Sequence, residues 1–249
     1  MKYSEIQKIN LSHAELIEAI KHARKEHFLD NLRDRNEFVA FDSKVRGYIG
    51  EIFLKGLFLS NGIKIRKIDY ASDDVETDID FEIESSTGEV LTIECKTSLV
   101  PDVYQTIENC IKRCDIKIIR REKHYTRIPI DIHIQIYFDE LRKVRDTRLS
   151  RISKHVDDYN DEELFSLLSL DSLGGYFVAW EDKESLNGYL ESLEMYERIW
   201  KFGFRSFWRC PLSNAKAPAD LINFLKTGSI KKEASIPGHS TTKYLNKFK

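Results

Sequence analysis

Two short segments of strict alternation restrict this 249-residue chain more than anything else in it: Asp78-Ile79-Asp80-Phe81-Glu82-Ile83 and Leu91-Thr92-Ile93-Glu94-Cys95-Lys96-Thr97, separated by Ser85-Ser86-Thr87-Gly88. A period of two marks a strand with one buried face, and the polar, Gly-bearing run between the segments is a turn, so the pair reads as an antiparallel hairpin. Successive side chains on a strand point to opposite faces. Ile79, Phe81 and Ile83 therefore share a face with Leu91, Ile93 and Cys95, and Asp80, Glu94 and Lys96 share the other. With the turn at about Ser86-Thr87, Asp80 falls nearly opposite Glu94 and Asp78 nearly opposite Lys96. Carboxylate oxygens held close by a sheet suit Mg²⁺, and an ammonium beside the ion can position or help deprotonate a water aimed at phosphorus. The chemistry implied is metal-assisted phosphodiester hydrolysis.

The flanking segments supply helices and further strands. Ser12-His13-Ala14-Glu15 has capping-box spacing and opens an amphipathic run to about Arg35, with Leu16, Ile17, Ile20 and Ala23 at helical intervals. A second helix is predicted from about Asp42-Ser43 to Asn61-Gly62, with Val45, Ile49, Phe53 and Leu57 inward and Glu51 in its middle. Residues 63–68 alternate as a strand. Beyond the hairpin the pattern predicts a helix over 101–118, a strand over 128–138 and a charged helix over 139–155. A short helix at 161–170, a strand at 175–180, a helix at 185–197, an aromatic strand at 202–209 and a helix at 217–227 follow. This order predicts an α/β fold: a central mixed β-sheet flanked by helices, with a C-terminal α/β elaboration. The expected division is an N-terminal helical segment (1–41), a core (42–138), the elaboration (139–228) and a flexible basic tail (229–249).

Composition excludes several classes. There is no apolar run of the length needed to span a bilayer, and the start, Met1-Lys2-Tyr3-Ser4-Glu5, has no apolar export segment behind it. A cytoplasmic protein is expected. Cys95, Cys110, Cys114 and Cys210 lack zinc-site spacing and read as buried thiols. The net charge of −2 hides a polarised chain: residues 112–154 hold thirteen Lys or Arg against six Asp or Glu, whereas residues 156–200 hold two against twelve. The basic block, including Arg120, Arg121, Lys123, Arg142, Lys143, Arg145, Arg148 and Arg151, suits a surface that tracks phosphates; a solvated helix face is the plain alternative.

Glu51 on a helix, Asp80 opening a strand and Glu94-Cys95-Lys96 ending the next one resemble the PD-(D/E)XK nuclease superfamily, the restriction-endonuclease-like fold, over residues 43–138. Gly47-Tyr48-Ile49-Gly50-Glu51 is similar to the family's glutamate-bearing helix, and Glu94-Cys95-Lys96-Thr97 to its E-x-K half-motif. The chain departs from the literal pattern in having no proline before the aspartate and in offering both Asp78 and Asp80. The resemblance implies that Asp80, Glu94 and the Cys95 carbonyl bind Mg²⁺, with Mn²⁺ able to substitute. It also implies that Lys96 positions the attacking water and that Glu51 serves a second metal, its water, or Lys96. Lys44 and Arg46, before Glu51, would lie near a passing strand of DNA.

The expectation is then a Mg²⁺-dependent DNA endonuclease of the type II restriction kind, a homodimer on double-stranded DNA. Its DNA contacts would be Lys44, Arg46, Arg142, Lys143, Arg145 and Arg148. The rivals are a repair, junction or other defence nuclease that reads structure or modified bases, and a non-catalytic DNA-binding module of the same fold. Gln105 reads as a surface amide and His133, in the alternate phase of an Ile-rich strand, as a satisfied histidine rather than a catalytic one. Trp180, Trp200, Phe204, Phe207 and Trp208 read as core.

Overall fold

A computed structural model describes residues 1–26, 36–68, 79–85, 88–120, 128–203 and 205–228. The expectations for Asp78, the Ser86-Thr87 turn, Arg121, Lys123, Phe204, the end of the first helix and the basic tail lie outside these residues. The elements, in chain order, are β1 (Gln7–Ile9), α1 (His13–Glu26), α2 (Glu37–Ser60), β2 (Lys64–Ile68), β3 (Phe81–Glu84), β4 (Val90–Val100), α3 (Ile107–Arg113), β5 (Ile118–Ile119), β6 (Ile132–Leu141), α4 (Arg142–Leu149), α5 (Asp161–Leu167), β7 (Gly175–Asp182), α6 (Lys183–Glu191), β8 (Ile199–Phe202), β9 (Arg205–Trp208) and α7 (Pro218–Thr227). Six strands form a mixed sheet in the order β1-β7-β6-β4-β3-β2, and β5-β9-β8 form a smaller one. Only β4 and β6 run parallel. Strands from the first three expected segments thus share the large sheet.

The helix starts follow from side chains that satisfy orphan backbone donors. Ser12 and Glu15 cap α1 reciprocally: Ser12 N–H donates to Glu15 Oε2 at 2.7 Å, and Glu15 N–H to Ser12 Oγ at 3.4 Å. α2 begins five residues before the expected Asp42, because Asn36 Oδ1 accepts from the N–H groups of Phe38 and Val39. Asp42 is no cap at all; it is wholly buried. α2 ends at Asn61-Gly62, where Gly62 takes φ +72°, as the sequence predicts. The helix after Pro101 starts only at Ile107, since Thr106 Oγ1 accepts the Asn109 N–H and caps there. β1 was not foreseen, being three residues long, and the expected aromatic strand is a hairpin of β8 and β9.

The sheet separates two buried clusters. Parallel register places Cys95 beside Ile134, which in turn lies beside Trp180 on β7, so these side chains share one face with Ile93. That face packs against α2 and α7: Phe58 meets Phe81 edge-on at 5.6 Å, and Trp180 lies 5.0 Å from Phe224. Register equally places Glu94 beside His133, Lys96 beside Gln135 and Ser98 beside Tyr137 on the other face. There α3, α6 and the small sheet supply Ile107, Cys110, Ile111, Leu186, Leu190 and Trp208.

Gly50 sets the separation of α2 from β4. A Cβ on it would lie 2.9 Å from Thr97 Cγ2 and 3.2 Å from Ile136 Cδ1, whereas one on Gly47 would meet nothing within 4 Å. Gly50→Ala should therefore lower stability by about 1–3 kcal/mol through overpacking. Gly47→Ala should raise it by about 0.5–1 kcal/mol through helix propensity alone. Denaturant unfolding of the two variants checks this, and equal responses would contradict the close approach.

Candidate functional site

The observed β3–β4 register, Phe81 opposite Ile93 and Glu82 opposite Thr92, carries Asp80 opposite Glu94, as the alternation predicts. Asp80 stands one residue before β3, its N–H donating to Ile93 O at 2.9 Å. No described strand pairs with this edge of β4 beyond Ile93. Asp80 Oδ2 fills the gap by accepting the Cys95 N–H at 2.5 Å. Because a residue's N–H and C=O leave a strand on the same side, the Cys95 carbonyl faces this edge too.

Glu94 is 2% exposed and is held from two sides. Lys96 Nζ lies 2.7 Å from Oε1, and His133 Nδ1 lies 2.8 Å from Oε2. The lysine contact is electrostatic and off the hydrogen-bonding direction, so Oε1 is buried and takes no hydrogen bond from any described residue. His133 is equally buried; with Glu94 ionised its Nδ1 carries the proton and donates. Its Nε2 has no described hydrogen-bond partner. His133, expected as a satisfied histidine rather than a catalytic one, has Glu94 as the partner of its Nδ1, a pairing the sequence reading did not name. The available signal was its phase: it occupies the polar parity of β6, as Glu94 does of β4, and adjacent strands place equal parities side by side.

Glu51 arrives differently from the expectation. α2 covers the face of Cys95 and Thr97, so Glu51 approaches from the side of the sheet opposite Glu94 and Lys96. The charges of all four ionisable groups nevertheless act on the Cys95 thiol. Burial pushes the Cys95 thiol well above its ordinary range, the charges of Asp80 and Glu51 push it further, and Lys96 pulls the other way.

The donor set suits a hard divalent cation in kind: carboxylate oxygens of Asp80 and Glu94, the Cys95 carbonyl, and a buried carboxylate oxygen, Glu94 Oε1, touched only by an ammonium. It is not a ready-made cage. Among the described residues no three His, Cys, Asp or Glu side chains gather as a metal site.

The basic residues divide sharply. Arg145, expected on DNA, is 0% exposed. Its Nη2 donates to Asp42 Oδ1 at 2.6 Å and to Leu168 O at 2.8 Å, and its Nη1 to Glu140. Arg46 is also buried, its Nε donating to Asp42 Oδ2 at 2.9 Å. Neither can track a phosphate; both are counterions to Asp42, and Arg145 fastens α4 to α2. Lys44 donates to Glu26 O, and Arg148 to Leu167 O at 2.8 Å. Arg142, 49% exposed beside Asp146, and exposed Lys143 remain at the surface. Gln105 is exposed with φ +64°, its side chain returned to Asp102 O, as expected of a surface amide. Cys110 and Cys210 are buried and Cys114 partly so.

Among the described residues no helix is long and apolar enough to cross a membrane. No family model, curated protein or solved structure matches the chain.

Burial alone would raise the Asp42 carboxyl, but Arg46 and Arg145 outweigh it and hold it below its ordinary 3.8. The stabilisation is therefore complete above that value and is lost as pH falls from there through the depressed folded value. Asp42→Asn should cost about 3–5 kcal/mol at neutral pH by leaving Arg145 buried without its anion. It should also flatten the acid limb of the stability curve. Urea titrations from neutral pH down to pH 3 check both; an unchanged acid limb would contradict the assignment.

Proposed function

We propose that this protein is a Mg²⁺-dependent DNA endonuclease of the PD-(D/E)XK type, acting as a homodimer on double-stranded DNA in the manner of a type II restriction enzyme. The observation that carries the reading is the pairing of Asp80 with Glu94 across β3 and β4, with Lys96 at 2.7 Å from a Glu94 oxygen that lacks a hydrogen bond. The sequence places Glu94 and Lys96 at the end of their strand, but β4 runs on to Val100 and they sit in its middle, where two acids and an amine have little structural value. Burying them costs free energy that an apolar trio would not cost.

Asp80, Glu94 and the Cys95 carbonyl would hold the ion. When bound it would stabilise negative charge building on the phosphoryl oxygens and acidify a water. Lys96, 27% exposed, would leave Glu94 Oε1 and turn its ammonium to the attacking water or the phosphate. His133 keeps Glu94 Oε2 occupied, so the carboxylate presents Oε1 in a fixed direction. Glu51 would act from the α2 side, past the edge of β4 that no described strand pairs with beyond Ile93. Arg142 and Lys143, at the start of α4 where β6 ends beside β4, are the expected cations still placed to meet DNA phosphates.

A second reading has one observation in its favour. Lys96 and His133 already engage both Glu94 oxygens, as in a non-catalytic DNA-binding module where the lysine has taken the ion's place.

Incubating the purified chain with plasmid DNA and Mg²⁺ separates the two. Cleavage by the wild type, lost at least about a thousandfold in Lys96→Ala and Glu94→Gln with DNA binding kept, is the expected outcome. Uncut DNA bound equally by wild type and Lys96→Ala would overturn the enzyme reading in favour of the binding module.

A further inference from the structure

Beyond Lys96, the same face of β4 carries Ser98, and over it lies Lys117, between α3 and β5. Lys117 Nζ donates to Ser98 Oγ at 2.7 Å. That hydroxyl also accepts from Gln135 Nε2 at 3.1 Å. Gln135 is fixed in turn: its Oε1 accepts the Lys117 N–H at 3.2 Å, and its Nε2 reaches Lys96 O at 3.0 Å and Ile136 O at 2.9 Å. The amide cannot be turned over without setting donors against donors.

Counting donors and acceptors leaves a surplus of donors at one spot. Ser98 Oγ accepts from Lys117 and competes with Lys96 O and Ile136 O for the two N–H groups of Gln135 Nε2, and its own proton meets no described acceptor. An ammonium has three N–H donors, and Ser98 is the one described hydrogen-bond partner of this one. No described carboxylate forms an ion pair with Lys117, and its strongest charge interactions are with the cations Arg142 and Arg46. Burial lowers its pKa to about 8, and repulsion by Arg142 and Arg46 adds to this, with the Cys114 and Cys110 thiols opposing. A half-buried cation beside a hydroxyl with a proton to give has no anion among the described residues.

We infer that Lys117 and Ser98, with Arg142 nearby, form a phosphate-binding subsite for the nucleic-acid backbone, next along β4 from the group held at Lys96. The inference rests on the proposed nucleic-acid reading and gives it a second contact point. Lys117 lies inside the basic stretch 112–154 but is half-buried rather than solvated and pairs with no described carboxylate; Lys112, for comparison, is exposed and pairs with Glu108 at 2.6 Å.

The test is binding of a labelled double-stranded oligonucleotide by the full chain without divalent metal, titrated across salt. Lys117→Met should weaken binding about tenfold. It should also lower the salt slope by about one unit, the signature of one lost phosphate contact. Ser98→Ala should weaken binding about threefold with the slope kept, because only a neutral donor is removed, and it carries the test should Lys117→Met fail to fold. Lys112→Met is the control and should change neither by as much. Affinity and slope unchanged in the Lys117 and Ser98 variants, or lowered no more than in the control, would overturn the subsite. The two proposals fail separately. Lys117-dependent binding without cleavage in Mg²⁺ removes the enzyme and keeps the subsite, whereas cleavage with Lys117-independent binding does the reverse.

Discussion

A single buried carboxylate organises this molecule's polar interior. Glu94 sits on the central pair of the large sheet, gripped by Lys96 at one oxygen and His133 at the other. A charge in that position is tolerated only with partners on every side, and its partners recruit others. The row continues to Glu181, beside His133 on β7, where burial raises the carboxyl and Lys216 partly offsets it. One step along, Lys96 borders Gln135, and Gln135 ties the strand's backbone to Ser98 and Lys117. A polar seam thus runs through one face of a sheet whose other face is apolar.

The contrast between the faces explains where function can reside. On the apolar side, α2 is drawn to contact distance by Gly50, and the buried Asp42–Arg145–Arg46 cluster locks α4 to it. Those charges are spent on one another. On the polar side, Lys117 and the Glu94 oxygen are incompletely satisfied among the described residues. Interiors that leave donors and acceptors short usually do so where a ligand completes them.

How much of this could be read in the sequence depended on the range of each interaction. The hairpin register was legible because alternation and a turn are local, and a slip of one residue would turn Phe81 and Ile83 to the polar face. α7 was legible from Leu221, Ile222 and Leu225 at helical spacing, and the structure bounds it with Pro218 at its start and Gly228 at φ +67° after its end. The start of α2 was not, since Asp42 looks like a cap until Arg145, 103 residues away, is seen to claim it. Arg145 misled for the same reason. Its spacing with Arg142 and Arg148 suggests a basic face, but the Leu168 carbonyl and Asp42 that bury it come from distant segments. Glu51 was placed on the correct helix, but no local pattern tells which face of the sheet a helix covers.

The central claim is that Glu94 Oε1 and Asp80 can exchange the Lys96 ammonium for a divalent ion. Mn²⁺ binding followed by electron paramagnetic resonance tests it without DNA or turnover. The account expects the wild type to bind Mn²⁺, Lys96→Ala to bind it at least as tightly because a competing cation is gone, and Asp80→Asn and Glu94→Gln to lose it. Wild-type and Lys96→Ala proteins that leave all Mn²⁺ free at millimolar concentration would contradict it.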